Sequence, residues 1–135
     1  MPDDSELDYI VAFLWRVHTV ATVGQIETYG NIMLIGDTQK MFVLPGEIIG
    51  SDGDDFYWKR YKVQISETSE ANLTTALNNI FIGIRKFNKR TAITSFTRPA
   101  TMCHMKFANS TKAFYNAKTK RWDCDIWLDV EWSTS

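Results

Sequence analysis

Twelve residues near the C-terminal end, WDCDIWLDVEWS, alternate with a period of two. One parity holds Trp122, Cys124, Ile126, Leu128, Val130 and Trp132; the other holds Asp123, Asp125, Trp127, Asp129, Glu131 and Ser133. Successive strand residues point to opposite faces, so this is a long strand with one apolar and one acidic face. A strand of that kind is stable only in a sheet whose apolar face is covered by another layer. The acidic set then faces water or a partner, and Trp127 stands alone among its acids.

The covering layer is legible as two helices. Ser5 caps the first, with Leu7, Ile10, Val11, Leu14, Val17 and His18 at helical spacing up to about Thr19. Ser69 caps the second, expected near 70–88, where Leu73, Ala76, Leu77, Ile80, Phe81, Ile84 and Phe87 form an apolar stripe. Leu73, Leu77, Ile80, Phe81 and Ile84 are expected to pack on the sheet.

Other segments read as strands. FYWKRYKVQISET places Tyr57, Lys59, Tyr61, Val63 and Ile65 on one side and Phe56, Trp58, Arg60, Lys62 and Gln64 on the other. NIMLIGDTQKMFVLPGEIIG suggests two short strands around a Gly36-Asp37 turn, closing at Pro45-Gly46, with breaks at Gly24 and Gly30 before it. SDGDD, residues 51–55, reads as a polar loop. MCHMKFA reads as a strand, and KAFYNA with the closing strand as a hairpin turning near Lys118–Lys120. The expected architecture is a single α+β domain spanning 1–135, a mostly antiparallel sheet with two helices on one face in α-ββ-α-ββ order. A chain of 135 residues buries about 65–70% of its unfolded surface and needs no covalent staples.

Charge is strongly segregated although the net charge is −1. The stretch 85–121 has ten cations and no acid, whereas residues 1–84 hold twelve acids and five bases. The last fourteen residues hold four acids and no base. Such blocks favour association with something of opposite sign, including another copy of the chain. The residues expected to carry a contact are Arg85, Lys86, Lys89, Arg90 and Arg98 on the basic side. Asp123, Asp125, Asp129 and Glu131 carry the acidic side, with Trp127 as the apolar anchor.

Catalytic and metal readings find less support. His18 and His104 are the only histidines and fit partly buried, hydrogen-bonded structural roles. Cys103 and His104 are adjacent, so in a strand they point apart and do not share a metal. Asp52 to Asp55 lacks the regular ligand series of a calcium loop. The glycine spacing matches neither a dinucleotide nor a phosphate loop. No catalytic residue, metal or cofactor is expected. No apolar run has membrane-spanning length, and the acidic start MPDDSELDY is unlike a secretion signal.

The order SELDYIVAFLWRV, KMFVLPGEIIG with FYWKRYKVQI, ANLTTALNNIFIGIRKFN and KAFYNAKTKRWDCDIWLDVEWS resembles that of phage tail-terminator and head–tail completion proteins. The resemblance rests on element order and transfers no individual residue role. It implies a non-enzymatic virion protein assembled in the host cytoplasm, forming a ring, commonly a hexamer, with other virion proteins as partners. The competing reading is a small nucleic-acid-binding or regulatory module using the basic 85–121 segment, where Lys and Arg alternate with Phe96, Phe107, Phe114 and Tyr115.

Overall fold

The computed structural model describes residues 5–19, 22–25 and 40–134. Helix α1 spans Ser5–Val17 and α2 spans Glu70–Asn88. Before α2 come β1 (Thr22–Gln25), β2 (Lys40–Val43), β3 (Glu47–Asp52) and β4 (Phe56–Glu67). After it come β5 (Met102–Ser110), β6 (Phe114–Asn116) and β7 (Arg121–Ser133). The fold is α+β: one mostly antiparallel sheet in the order β1-β2-β4-β7-β5, with β3 also on β4 and β6 also on β7. The pair β1–β2 is parallel.

At the centre lie β4 and β7, antiparallel and in unbroken register from Phe56↔Ser133 to Glu67↔Trp122. Their inward sets, Tyr61, Val63 and Ile65 with Cys124, Ile126, Leu128, Val130 and Trp132, are all buried. The alternation in both segments therefore has the predicted register. The helices cover this face, and Leu7, Ile10, Phe13 and Leu14 join Leu73, Ala76, Ile80, Ile84 and Phe87 in one core with Met41, Val43, Met102 and Met105. Phe13 was absent from the predicted stripe; it packs against Phe87 and Phe96, ring centroids 6.0 and 5.9 Å away.

Helix α2 begins as expected: the Ser69 side chain accepts from the Asn72 N–H. Its stripe is narrower than predicted. Leu77 is only partly buried, and Phe81 is 40% exposed because it overhangs β5 at the rim of the sheet, stacking on Phe107 at 4.5 Å. At its far end the Asn88 side chain donates to the Met105 carbonyl (2.7 Å) and accepts from the Met105 N–H (2.9 Å). That paired bond fixes the helix end against β5.

Two predicted breaks differ. Gly24 lies inside β1, opposite Phe42, at the margin of the sheet, where a strand glycine is tolerated best. SDGDD is mostly hairpin: β3 continues to Asp52, which faces Phe56, leaving only residues 53–55 as the turn. Gly53, the first residue of that turn, has φ 71°, a left-handed conformation that glycine adopts without strain. Gly30 and the Gly36-Asp37 turn lie outside the described residues.

Gly83 sets the separation of the helices. A Cβ there would stand 2.4 Å from Val17 Cγ1 and 3.2 Å from Phe13 Cζ. The glycine that weakens α2 locally thus permits α1 to approach. Gly83→Ala is expected to destabilise the protein by about 1–2 kcal/mol despite better helix propensity, since overpacking outweighs it. Adding Val17→Ala should recover most of that loss in chemical denaturation. Ile80→Ala, at a fully buried position, should cost about 2–5 kcal/mol.

Candidate functional site

Among the described residues no helix lies on the outer face of the sheet, and β7 presents Asp123, Asp125, Trp127, Asp129 and Glu131 there. Register places β4 residues directly opposite: Ser66 faces Asp123, Gln64 faces Asp125, Lys62 faces Trp127, Arg60 faces Asp129 and Trp58 faces Glu131. Asp123, Asp125 and Asp129 therefore meet donors within the same molecule. Arg60 holds Asp129 in a two-point bond, Nε to Oδ1 at 2.8 Å and Nη2 to Oδ2 at 3.0 Å. That carboxylate raises the Arg60 guanidinium pKa above its ordinary value, by hydrogen bonding first and charge second. Lys62 Nζ lies 3.6 Å from Asp125 Oδ2 and 5.2 Å from the centre of the Trp127 ring. Ser66 Oγ donates to Asp123 Oδ1 at 2.6 Å, and Asn116 Nδ2 reaches Asp123 Oδ2 at 3.4 Å.

This corrects the expectation of four accessible acids around an exposed tryptophan. Asp129 is 6% exposed, and Asp123, Asp125, Glu131 and Trp127 are half-buried. The cause is cross-strand pairing: the outward parity of β4 brings Arg60 and Lys62 onto the same face. The ladder continues onto β5, where His104 lies opposite Glu131 and Lys106 opposite Asp129. Lys106 Nζ sits 4.5 Å over the Trp58 ring. His104 is exposed and meets Trp58 edge-on at 6.0 Å, contrary to the partly buried role expected of it.

The basic segment also divides. Arg98 is directed inward. Its Nε donates to the Met102 carbonyl at 2.9 Å and Nη1 to the Phe87 carbonyl at 2.5 Å, while Nη2 donates to the Cys103 carbonyl. The guanidinium lies 3.7 Å from the centre of the Phe87 ring. Burial and then the nearby Arg90 charge push its pKa below the ordinary value. Arg98 thus joins the end of α2 to β5. Arg121 is buried too, with Nε on Ser66 Oγ at 2.7 Å and Nη2 on the Ser66 carbonyl at 3.0 Å. Close to it in the fold are the buried Glu67 and His18. His18 has Nε2 3.6 Å from Glu67 Oε1 and Nδ1 2.9 Å from Asn79 Nδ2, the structural role expected of it.

Arg85, Lys86, Lys89 and Arg90 do reach solvent, and among the described residues none of the four makes an ion pair. They cluster at the end of α2; Arg85, one turn past Phe81, lies on the β5 flank, where the exposed Phe81 meets the half-buried Phe107, whereas Lys86 lines a cleft with Arg16 and Val17 of α1. The opposite flank is the β3–β4 hairpin, in which the sequence suggests no contact residue. Ile48 (69% exposed), Ile49 and Phe56 are bare there, next to the exposed acids Glu47, Asp54 and Asp55. The signal available in the sequence was the aspartate-glycine turn between EIIGSD and FYWKR. Parity alone did not reveal that the helix layer stops short of Ile48.

No protein-family model matches the sequence, and no curated protein matches it. What the coordinates define is a class: an α+β sheet covered by two helices on one face, with two unlike flanks. Among solved structures, a chain described as "Virion of native gene transfer agent (GTA) particle" has the same fold, with a TM-score of 0.54 and 12% sequence identity. The likeness covers 89% of this chain and 84% of that one.

Arg98→Ala is expected to lower stability by about 2–4 kcal/mol, since it strips a charged donor from three backbone carbonyls at once. Arg98→Lys should restore only part of this, because an ammonium lacks the planar fork. Urea denaturation of the three proteins checks it.

Proposed function

We propose that this chain is a non-enzymatic structural virion protein, a ring-forming tail terminator or head–tail connector component. The observation that carries the reading is the fold likeness to a chain of a gene transfer agent virion, extending over most of both chains. The form of the surface supports it. On the outer face of the sheet Asp123, Asp125 and Asp129 are engaged by Ser66, Lys62 and Arg60. The two flanks differ from each other, and unlike flanks favour head-to-tail association of copies. On this reading the protein works in the virion after assembly in the host cytoplasm, and its partners are further copies of itself, with a hexamer as the expected ring, and neighbouring virion proteins.

One observation favours a second reading. The β6 hairpin exposes Phe114 and Tyr115 among the exposed Lys112, Lys118 and Lys120. Cations interleaved with bare aromatic rings suit single-stranded nucleic acid, whose bases stack on such rings.

Sedimentation at low and high salt separates the two. The ring reading predicts a discrete oligomer at low salt that dissociates as salt rises, since exposed charges are screened beyond about 8 Å at physiological ionic strength. A protein that stays monomeric at high concentration and low salt overturns it. Nucleic-acid binding predicts retention of DNA or RNA, with log affinity falling steeply against log salt.

A further inference from the structure

We infer that the β3–β4 hairpin of one copy seats its isoleucines and acids against the end of α2 on the next, so that these two flanks form the subunit contact. The inference rests on the self-assembly reading above and names the surfaces that carry it.

Ile48 and the end of α2 lie at one level of the molecule, and Asp54 and Asp55 lie further along, at the hairpin turn past Phe56. Ile48 pairs with Lys59, Lys59 with Val130, and Val130 with Met105. Asn88, the last residue of α2, is bonded to Met105. One row of residues therefore runs from the hairpin across the sheet to the basic helix end, about 14 Å at three strand spacings. Repeated head-to-tail, a contact between the flanks gives a ring where the rotation it imposes closes and an open filament where it does not.

The surfaces are complementary in both charge and polarity. One flank has Ile48, Ile49 and Phe56 beside Glu47, Asp54 and Asp55; the other has Phe81 and Phe107 beside Arg85 and Lys89. Among the described residues β3 pairs only with β4, and β5 only with β7, so each flank also ends in a strand edge. A bare edge carrying two exposed isoleucines is a site of indiscriminate pairing unless a partner covers it. The acids select the partner: they repel a second hairpin and attract the α2 end. Of the β7 acids, Asp129, Asp125 and Asp123 are by contrast held by Arg60, Lys62 and Ser66.

Charge reversal tests the pairing. Asp54→Lys with Asp55→Lys alters one flank, and Arg85→Glu with Lys89→Glu alters the other. All four positions are exposed, and thermal melting confirms that each variant folds. Each double variant is expected to weaken association at low salt about a hundredfold or more, because like charges then meet across the contact. The quadruple variant is complementary again and should reassemble; so should an equimolar mixture of the two doubles, as a ring of alternating copies. Sedimentation velocity reads every case. If the wild type assembles and neither double variant disturbs it, this contact is overturned and the ring reading stands. If the doubles dissociate and the quadruple does not recover, the two flanks do not meet each other. A wild type that never assembles overturns both.

Discussion

The structure depends on the antiparallel pairing of β4 with β7, unbroken over twelve residue pairs. Every other part is placed relative to it. One register decision settles both faces at once. It brings Tyr61, Val63 and Ile65 beside Leu128, Ile126 and Cys124 under the helices, and it sets Arg60 against Asp129 and Ser66 against Asp123 on the outside. A slip by one residue would expose the first set and bury the second, breaking the core and stranding charges together. The two faces thus specify the same register for different physical reasons: apolar burial on one, charge pairing on the other.

The helix layer is tied to this pair at both ends. At one end Gly83 lets α1 come close, while His18, just past α1, reaches Glu67 at the end of β4 and Asn79 on α2. At the other end Asn88 and Arg98 hold the helix terminus to the backbone of β5. Cations in the last turn of a helix complement its dipole, so Arg85 and Lys86 serve α2 locally as well as marking the surface. Because the helices reach their limit over β5 and do not extend over β3, the sheet has two flanks of different character. Charge segregation along the chain becomes segregation between flanks only through this arrangement. Three of the acids nearest in sequence to the basic block, Asp123, Asp125 and Asp129 of β7, are engaged within the fold.

Much of this was legible from periodicity. The span of α2, its Ser69 cap, the inward sets of β4 and β7 and the closing hairpin all follow from spacing, because a regular element repeats its own geometry residue by residue. Phe81 and Leu77 show where that reasoning stops. Their spacing places them on the apolar stripe, but whether a stripe residue is covered depends on how wide the sheet is beneath it. The same holds for Ile48, which shares the inward parity of the sheet and yet lies beyond the helices.

Sequence alone determined the class of fold, the register-bearing alternation and the sign of charge in each segment, since these are properties of neighbours along the chain. Tertiary structure decided which charges remain available. Asp129 and Arg98 look like surface charges when read in sequence, and each is consumed by a partner far away in the chain or by carbonyls gathered from two elements. Asp54, Asp55, Arg85 and Lys89 look no different in the sequence, and the fold leaves them open. The distinction arises from cross-strand and helix–sheet proximity, which are set by register and layer width and have no local signature.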